Sequence, residues 1–157
     1  MLKLIRIDDR LLHGQVAFTW TPALNIGCIV VANDRSATDE FLKMTLGLAK
    51  PAGVKLVIKT IREAIAFLND PRNQGQSMLV LIDSVKDAHA LAAEVAEVRS
   101  INFGGIRSKP GARPVSKAIA LTEEDVVLIR ELLNKDIELE VRQVPTDKKN
   151  ALCWPIF

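Results

Sequence analysis

Short apolar runs recur along the chain and predict the strands of a β-sheet. The run Met78–Ile82 is continuously apolar, which is typical of a strand that is covered on both faces. The segment Ile137–Arg142 instead alternates apolar and charged residues, so we expect one face of this strand to be solvated and the strand to lie near an edge. The other predicted strands are Leu2–Ile7, Gly27–Ala32, Val54–Ile58, Ile101–Phe103 and Val115–Leu121.

The segments between these strands carry the start and stop signals of helices. Each start is a hydroxyl residue followed three positions later by an acid, because the hydroxyl accepts a bond from a free N–H and the acid favours the first turn. The pairs are Ser36 with Asp39, Thr60 with Glu63, Ser84 with Asp87 and Thr122 with Asp125, and Pro51 and Pro71 end the preceding helices.

This alternation of strands and helices predicts an α/β fold. We expect one domain over residues 1–157, with a mostly parallel central sheet of about six or seven strands and helices on both faces. The order of the strands does not follow from the pattern.

The composition argues against several classes of function. A net charge of +2 and an aromatic content of 4% do not favour nucleic-acid binding. The longest apolar runs have about five residues, whereas a membrane span needs about 20, and Lys3 and Arg6 interrupt any signal-peptide core. Cys28 and Cys153 are isolated thiols, and we expect Cys28 in the core. These features favour a cytoplasmic protein.

The stretch Arg6–Val16 places several chemically active side chains in one predicted strand-to-helix turn. His13 follows the first strand, and ligands of open α/β sheets bind at the carboxyl ends of strands. A neutral imidazole is a nucleophile near neutral pH, and the free N–H groups of a helix start favour an anion. Arg10 offers a planar guanidinium that matches phosphate, and Gly14 leaves room for close approach. The turn is therefore a candidate site for holding and passing on a phosphoryl group.

The residues alone leave a second interpretation open for each part of this turn. Asp8 or Asp9 could orient the Arg10 guanidinium or the imidazole, but an Asp pair is also an ordinary turn and cap signal. His13 could equally be a loop residue with no chemical role. Arginine and backbone N–H groups can stabilise the charge of a phosphoryl group, so we expect neither a metal nor a cofactor.

Two further polar features are expected at the surface. His89 lies within a helical pattern among alanines, which indicates a surface or boundary position. The segment Gly104–Arg113 is rich in glycine and proline and could border the site. The simplest interpretation of its basic residues, Arg107, Lys109 and Arg113, is a solvated loop.

The stretch Arg6–Val16 closely resembles the phosphorylation-site motif of the IIB components of the mannose–fructose–sorbose family of the bacterial sugar phosphotransferase system. The similarity covers essentially the whole chain. Leu12 and Phe103 are mild departures from the family pattern. Further segments that resemble the family, in the same order, are Val31–Asp34, Leu48–Lys55, Asn102–Gly105 and Val141–Asp147.

The resemblance implies a cytoplasmic phosphocarrier, a protein-Nπ-phosphohistidine–sugar phosphotransferase. It would accept a phosphoryl group from a IIA domain and donate it to a sugar presented by the IIC and IID membrane components, at the periphery of that permease. By motif position, His13 would be phosphorylated through Nδ1, Arg10 would steady the phosphoryl oxygens and Asp8 would orient the loop. Supporting positions for the loop or the phosphate would be Arg6, Asp9 and Gly14.

Two other functions are compatible with the pattern. A receiver-like phospho-acceptor signalling domain also has an acidic pair after its first strand, but Val57–Thr60 stands where its acceptor Asp would end the third strand. A small-ligand binding module would use the same cleft without covalent chemistry. The sequence specifies neither the sugar nor the oligomeric state, and the apolar tail Ala151–Phe157 is compatible with self-association or with folding back.

Overall fold

Strands and helices alternate along residues 1–156, the part of the chain that the computed structural model describes. The strands are β1 (Leu2–Asp8), β2 (Cys28–Ala32), β3 (Lys55–Lys59), β4 (Met78–Ile82), β5 (Ser100–Gly105), β6 (Arg113–Pro114), β7 (Ala120–Leu121), β8 (Glu138–Val141) and β9 (Asn150–Ala151). The α-helices are α1 (Gly14–Ala23), α2 (Asp34–Ala37), α3 (Glu40–Leu48), α4 (Ile61–Asn69), α5 (Val85–Glu94) and α6 (Glu123–Asn134), and a 3₁₀-helix spans Pro71–Asn73.

The central sheet contains seven strands in the order β3-β2-β4-β1-β5-β8-β9. Every neighbouring pair is parallel except the last, in which the short edge strand β9 runs antiparallel to β8. The prediction of an α/β fold with a mostly parallel sheet is therefore confirmed. Strand β1 lies in the interior, between β4 and β5, so the loop that follows it opens near the middle of the sheet's carboxyl edge.

Helices cover both faces of this sheet, as the continuous apolar run of β4 predicts. Leu79 and Leu81 of β4 belong to an apolar layer with residues of α1 and α3. Val80 and Ile82, which alternate with them, belong to a second layer with residues of α4, α5 and α6. Among the described residues, no helix is long and apolar enough to cross a membrane.

Three of the four predicted helix starts are confirmed, at Thr60, Ser84 and Thr122. The prediction for Ser36 is wrong, since Ser36 lies inside α2. The side-chain oxygen of Asn33, directly after β2, accepts the Ser36 N–H at 2.8 Å and starts that helix earlier. Helix α3 is capped by the carboxylate of Asp39 itself, which accepts two backbone N–H groups.

The predicted strand Val115–Leu121 is also largely wrong. Only Ala120–Leu121 forms a strand, and it pairs antiparallel with β6 outside the central sheet. The preceding residues fold into a turn in which the N–H groups of Val115 and Ser116 both donate to the Ile119 carbonyl. Backbone groups committed to this turn are not available to a sheet ladder.

The alternating segment near the C-terminus forms β8, next to the edge of the sheet as predicted. Its polar face is only partly solvated, however, because Glu138 is 59% exposed but Glu140 is only 4% exposed. The Glu140 carboxylate accepts bonds from the side chains of Asn102 and Arg142, at 3.1 and 3.2 Å, and these replace water.

The tail folds back onto its own chain as far as residue 156. The Leu152 N–H donates to the Leu139 carbonyl at 2.9 Å, and Leu152 and Ile156 pack against the core. The Trp154 ring lies 4.9 Å from the guanidinium carbon of Arg130. Phe157 lies outside the described residues.

Candidate functional site

His13 lies at the carboxyl edge of the sheet, in the loop between β1 and α1. It is the N-cap residue of α1 and has an extended backbone, and its side chain makes no capping hydrogen bond. Leu11 takes a left-handed conformation with φ of 57°, and its N–H donates to the Asp8 carbonyl at 2.8 Å. This tight turn brings the chain back towards β1, so that His13 faces the last residue of the strand.

The imidazole of His13 contacts the buried carboxylate of Asp8. The distance from His13 Nε2 to Asp8 Oδ2 is 3.0 Å, and the exposed fractions of the two side chains are 17% and 1%. A carboxylate accepts hydrogen bonds, so the contact favours a proton on Nε2. In the neutral imidazole that leaves the lone pair on Nδ1.

Asp8 is held in its charged form. Burial by itself raises the pKa of this carboxyl group, but the hydrogen bonds from His13 and from the Arg10 backbone N–H outweigh burial, together with the charge of Arg6. The net effect lowers the pKa of Asp8 below its ordinary value. The residue is therefore a carboxylate at neutral pH and an acceptor for the imidazole N–H.

Arg10 places its guanidinium at the surface beside this pair. Its backbone N–H donates to Asp8 Oδ1 at 3.1 Å, and its Nε lies 3.7 Å from the same oxygen. The side chain is 54% exposed, so its remaining N–H groups face solvent. An anion that approaches the loop can therefore contact the Arg10 guanidinium, which the Asp8 carboxylate already orients.

Asp9, the second member of the acidic pair, binds the loop predicted to border the site. Its Oδ2 accepts both the backbone N–H of Arg107, at 2.8 Å, and the side-chain Nε, at 3.0 Å. Arg107 is 78% exposed but is not an isolated solvated residue. The two carboxylates thus have separate partners, since Asp8 contacts His13 and Asp9 contacts the neighbouring loop.

A cleft of about 540 Å³ lies next to the turn, and residues of the segment Gly104–Arg113 form part of its wall. Its lining includes Arg10, Arg107, Lys117 and Gln143, so cations outnumber acids in this part of its wall. Packing within the chain does not require glycine at position 14, because an added Cβ would lie 3.9 Å from Phe18, an ordinary contact. Any restriction on the size of residue 14 must therefore come from a partner or a ligand.

Beneath the turn lies a buried polar layer that sequence reasoning mostly missed. Arg6 is 1% exposed, and its Nη1 donates to the Asn102 side-chain oxygen at 2.7 Å and to the Arg142 carbonyl at 2.9 Å. The guanidinium carbons of Arg6 and Arg142 lie 5.4 and 4.9 Å from the centre of the Trp20 ring. A visible signal in the sequence is Asn102, a polar residue between the apolar residues Ile101 and Phe103 of β5.

Of the residues predicted from the sequence, Arg6, Arg10 and His13 all contact Asp8, whereas Asp9 binds Arg107 instead. His89 is elsewhere, on α5, where its Nε2 lies 3.0 Å from Glu131. No group of three or more His, Cys, Asp or Glu residues suited to a metal ion occurs among the described residues.

A second polar cluster lies at the same edge of the sheet, after β2 and β4. Burial and the neighbouring Asp83 raise the pKa of Asp87 to about 6. Asp83 in turn accepts a hydrogen bond from the Asn33 side chain at 2.8 Å. These contacts have a structural explanation, because Asn33 and Ser84 cap α2 and α5.

Comparisons with known proteins show which family the chain resembles. A family model described as the PTS system sorbose subfamily IIB component matches residues 2–156. A probable phosphotransferase enzyme IIB component from Streptococcus pyogenes is 37% identical over 155 residues, 95% of each chain. The mannose-specific EIIAB component of Escherichia coli is 35% identical over 149 residues, which are 95% of this chain and 46% of that longer protein.

A solved structure extends the agreement to the fold. The crystal structure of the IIBSor domain of the sorbose permease from Klebsiella pneumoniae matches with a TM-score of 0.92 and 30% identity, over 97% of this chain and 93% of that chain. The fold and these matches define a phosphocarrier of a sugar phosphotransferase system. The chain belongs to the sorbose subfamily of IIB components of that system.

Proposed function

We propose that this IIB component carries the phosphoryl group on Nδ1 of His13. The observation that supports this assignment is the 3.0 Å contact between His13 Nε2 and the buried Asp8 carboxylate. With a proton on Nε2, the Nδ1 lone pair is the available nucleophile. When it attacks the phosphorus of a phosphorylated donor, a bond to Nδ1 forms, the bond to the donor nitrogen breaks, and its electron pair stays on the donor.

Arg10 and the start of α1 would stabilise the transferred group. The Arg10 guanidinium is exposed beside the imidazole and offers N–H groups in a planar arrangement. No side chain of the N-cap residue occupies the first N–H groups of α1, so they can donate to phosphoryl oxygens. Phosphoryl transfer needs positioning and charge stabilisation, which these groups can supply.

The partners that we propose are a IIA domain as donor and IIC and IID membrane components that present the sugar. The mannose-specific relative is named as an EIIAB component, which indicates that a IIA unit accompanies this type of domain in that protein. In this scheme, the chain works on the cytoplasmic side of a membrane permease. The sugar hydroxyl then attacks the phosphorus. An O–P bond forms, the bond to Nδ1 breaks and its electron pair returns to Nδ1, and the hydroxyl proton passes to water.

The receiver-like alternative gains no support from the fold. Its acceptor Asp would end the third strand, but β3 ends at Lys59 and lies at the edge of the sheet, three strands away from β1. The third possibility, a binding module without covalent chemistry, is separated from the proposal by a labelling experiment.

The chain should be incubated with a purified IIA partner that carries radiolabelled phosphate. We expect label on the chain that is lost in acid and retained in alkali, as a phosphohistidine requires. Label that is lost in alkali would indicate an acyl phosphate and contradict the proposal. No transfer of label from an active donor would favour a binding module.

Arg107 should contribute to donor docking, because it is a highly exposed cation that Asp9 holds beside the cleft. We expect Arg107→Glu to slow transfer from phospho-IIA, most strongly at low salt, since opposite charges accelerate association and salt screens them. Arg72→Glu makes the same charge change at the opposite edge of the sheet, where the strands begin, and serves as the matched control. Equal transfer rates in the two variants would remove Arg107 from the docking surface.

A further inference from the structure

Arg6 is too deeply buried to contact a phosphoryl group. Its guanidinium nevertheless contacts the Asp8 carboxylate, which in turn contacts His13. Its Nη2 lies 3.5 Å from Asp8 Oδ2, the same oxygen that contacts His13 Nε2. Both residues of this ion pair are 1% exposed. A buried carboxylate needs a nearby positive charge and hydrogen bonds to stay ionised, so the position of Arg6 matters for Asp8.

The glycine at position 104 makes room for Arg6. A Cβ added to Gly104 would lie 2.5 Å from Arg6 Nε and closer still to Cζ and Nη2, whereas real Cβ contacts are essentially never shorter than 3.0 Å. The guanidinium therefore passes directly against the backbone of β5. Any side chain at this position must displace the guanidinium or distort the strand.

The guanidinium has nowhere to move without losing bonds. Nη1 is held by the side-chain oxygen of Asn102 and by the Arg142 carbonyl. Asn102 is itself fully buried, and its amide nitrogen donates to Glu140 at 3.1 Å. Moving Arg6 would break several buried hydrogen bonds at once, which makes this arrangement rigid.

We propose that Gly104 and Asn102 are positioning residues for phosphoryl transfer, which hold Arg6 against Asp8 and thereby hold the His13 imidazole with Nδ1 free. The inference rests on the proposed role of His13. It adds two residues that contact neither the imidazole nor an incoming phosphate in the geometry described above. Their effect passes through Arg6 and Asp8, as partners of a metal-bound histidine act through its second nitrogen.

Gly104→Ala tests this inference, and Gly27→Ala is its control. Both changes add one methyl group to a glycine in or directly before a strand of the central sheet, but a Cβ at Gly27, just before β2, would have no neighbouring atom within 4 Å apart from its chain neighbours. We expect Gly104→Ala to slow transfer from phospho-IIA at saturating donor by about tenfold or more, the scale seen when outer partners of a functional histidine are removed. Gly27→Ala should transfer at the wild-type rate.

The state of the imidazole provides a readout that does not depend on transfer. The chain has two histidines, so ¹⁵N-labelled histidine gives ring signals from His13 and His89 only. We expect the Nε2–H signal of His13 to be shifted downfield and protected from solvent exchange in the wild type and in Gly27→Ala. In Gly104→Ala this signal should lose its shift and protection, while the His89 signal stays unchanged as an internal reference.

A second variant covers the case in which Gly104→Ala does not fold. Arg6→Gln removes the charge without adding bulk and should reproduce both the slow transfer and the changed His13 signal. A normal rate and a normal His13 signal in a folded Gly104→Ala or Arg6→Gln variant would overturn the inference. Slow transfer with an unchanged His13 signal would also overturn it, because Arg6 would then act by another route.

The two proposals fail in different ways. If the wild-type chain is not labelled on His13, the proposed function is wrong whatever the ring signals show. If His13 is labelled but its ring signals are the same in Gly104→Ala and Gly27→Ala, only the positioning role is wrong.

Discussion

Replacing His13 by alanine should abolish phosphoryl acceptance while the chain still folds. The change removes the nucleophile, and no other residue of the turn offers a neutral nitrogen with a free lone pair. Loss of a hydrogen bond to the buried Asp8 carboxylate should cost about 1 to 3 kcal/mol of stability, which a folded domain generally survives. Transfer of labelled phosphate from phospho-IIA measures the first effect, and thermal unfolding measures the second.

His89→Ala is the control for this prediction. Its imidazole also contacts a carboxylate at 3.0 Å, that of Glu131, but it lies on α5 on the other face of the sheet. We expect normal acceptance in this variant. Acid-labile label on the His13→Ala chain at a normal level would refute the assignment of His13.

Arg10→Lys should reduce the rate of phosphoryl transfer by about a hundredfold or more without abolishing it. Lysine keeps the positive charge, but it loses the planar set of N–H groups that can hold two phosphoryl oxygens at once. The nucleophile is unchanged, so some transfer remains. Because the Arg10 side chain is 54% exposed and contributes little to the core, the variant should unfold at nearly the wild-type temperature.

Single-turnover transfer from phospho-IIA measures this effect. Arg72→Lys makes the same substitution at another exposed arginine that is paired with an aspartate, Asp70, and should transfer normally. A wild-type rate for Arg10→Lys would leave His13 in place as the phosphorylated residue and remove Arg10 from the mechanism.

Much of the fold could be predicted because the signals are local. The run Met78–Ile82 is apolar at every position, which indicates burial on both faces, and the Thr60 and Thr122 caps depend on residues three positions apart. The Ser36 prediction failed because Asn33 offered a competing cap three residues earlier. The strand predicted over Val115–Leu121 failed because its apolar residues are used in a turn.

The candidate site was predicted in part for the same reason. Asp8, Arg10 and His13 lie within six residues, so one tight turn is enough to bring them together. The sequence did not show that Asp8 and Asp9 have different partners, because the two residues are adjacent and chemically identical. Only the fold directs Asp8 inward to His13 and Asp9 outward to Arg107.

By itself, the sequence determined the class of fold, the location of the candidate phosphoryl site and the family that the chain resembles, because each depends on short contiguous patterns. The tertiary structure alone decided what lies beneath that candidate site. Arg6, Asn102 and Glu140 come from three strands that are distant in the chain and neighbours in the sheet. Glu140 looked like a solvated residue of an alternating strand, and it is buried because Asn102 of β5 and the nearby Arg142 replace water around it. These residues are neighbours because of the order of the strands in the sheet, which the local sequence pattern does not determine.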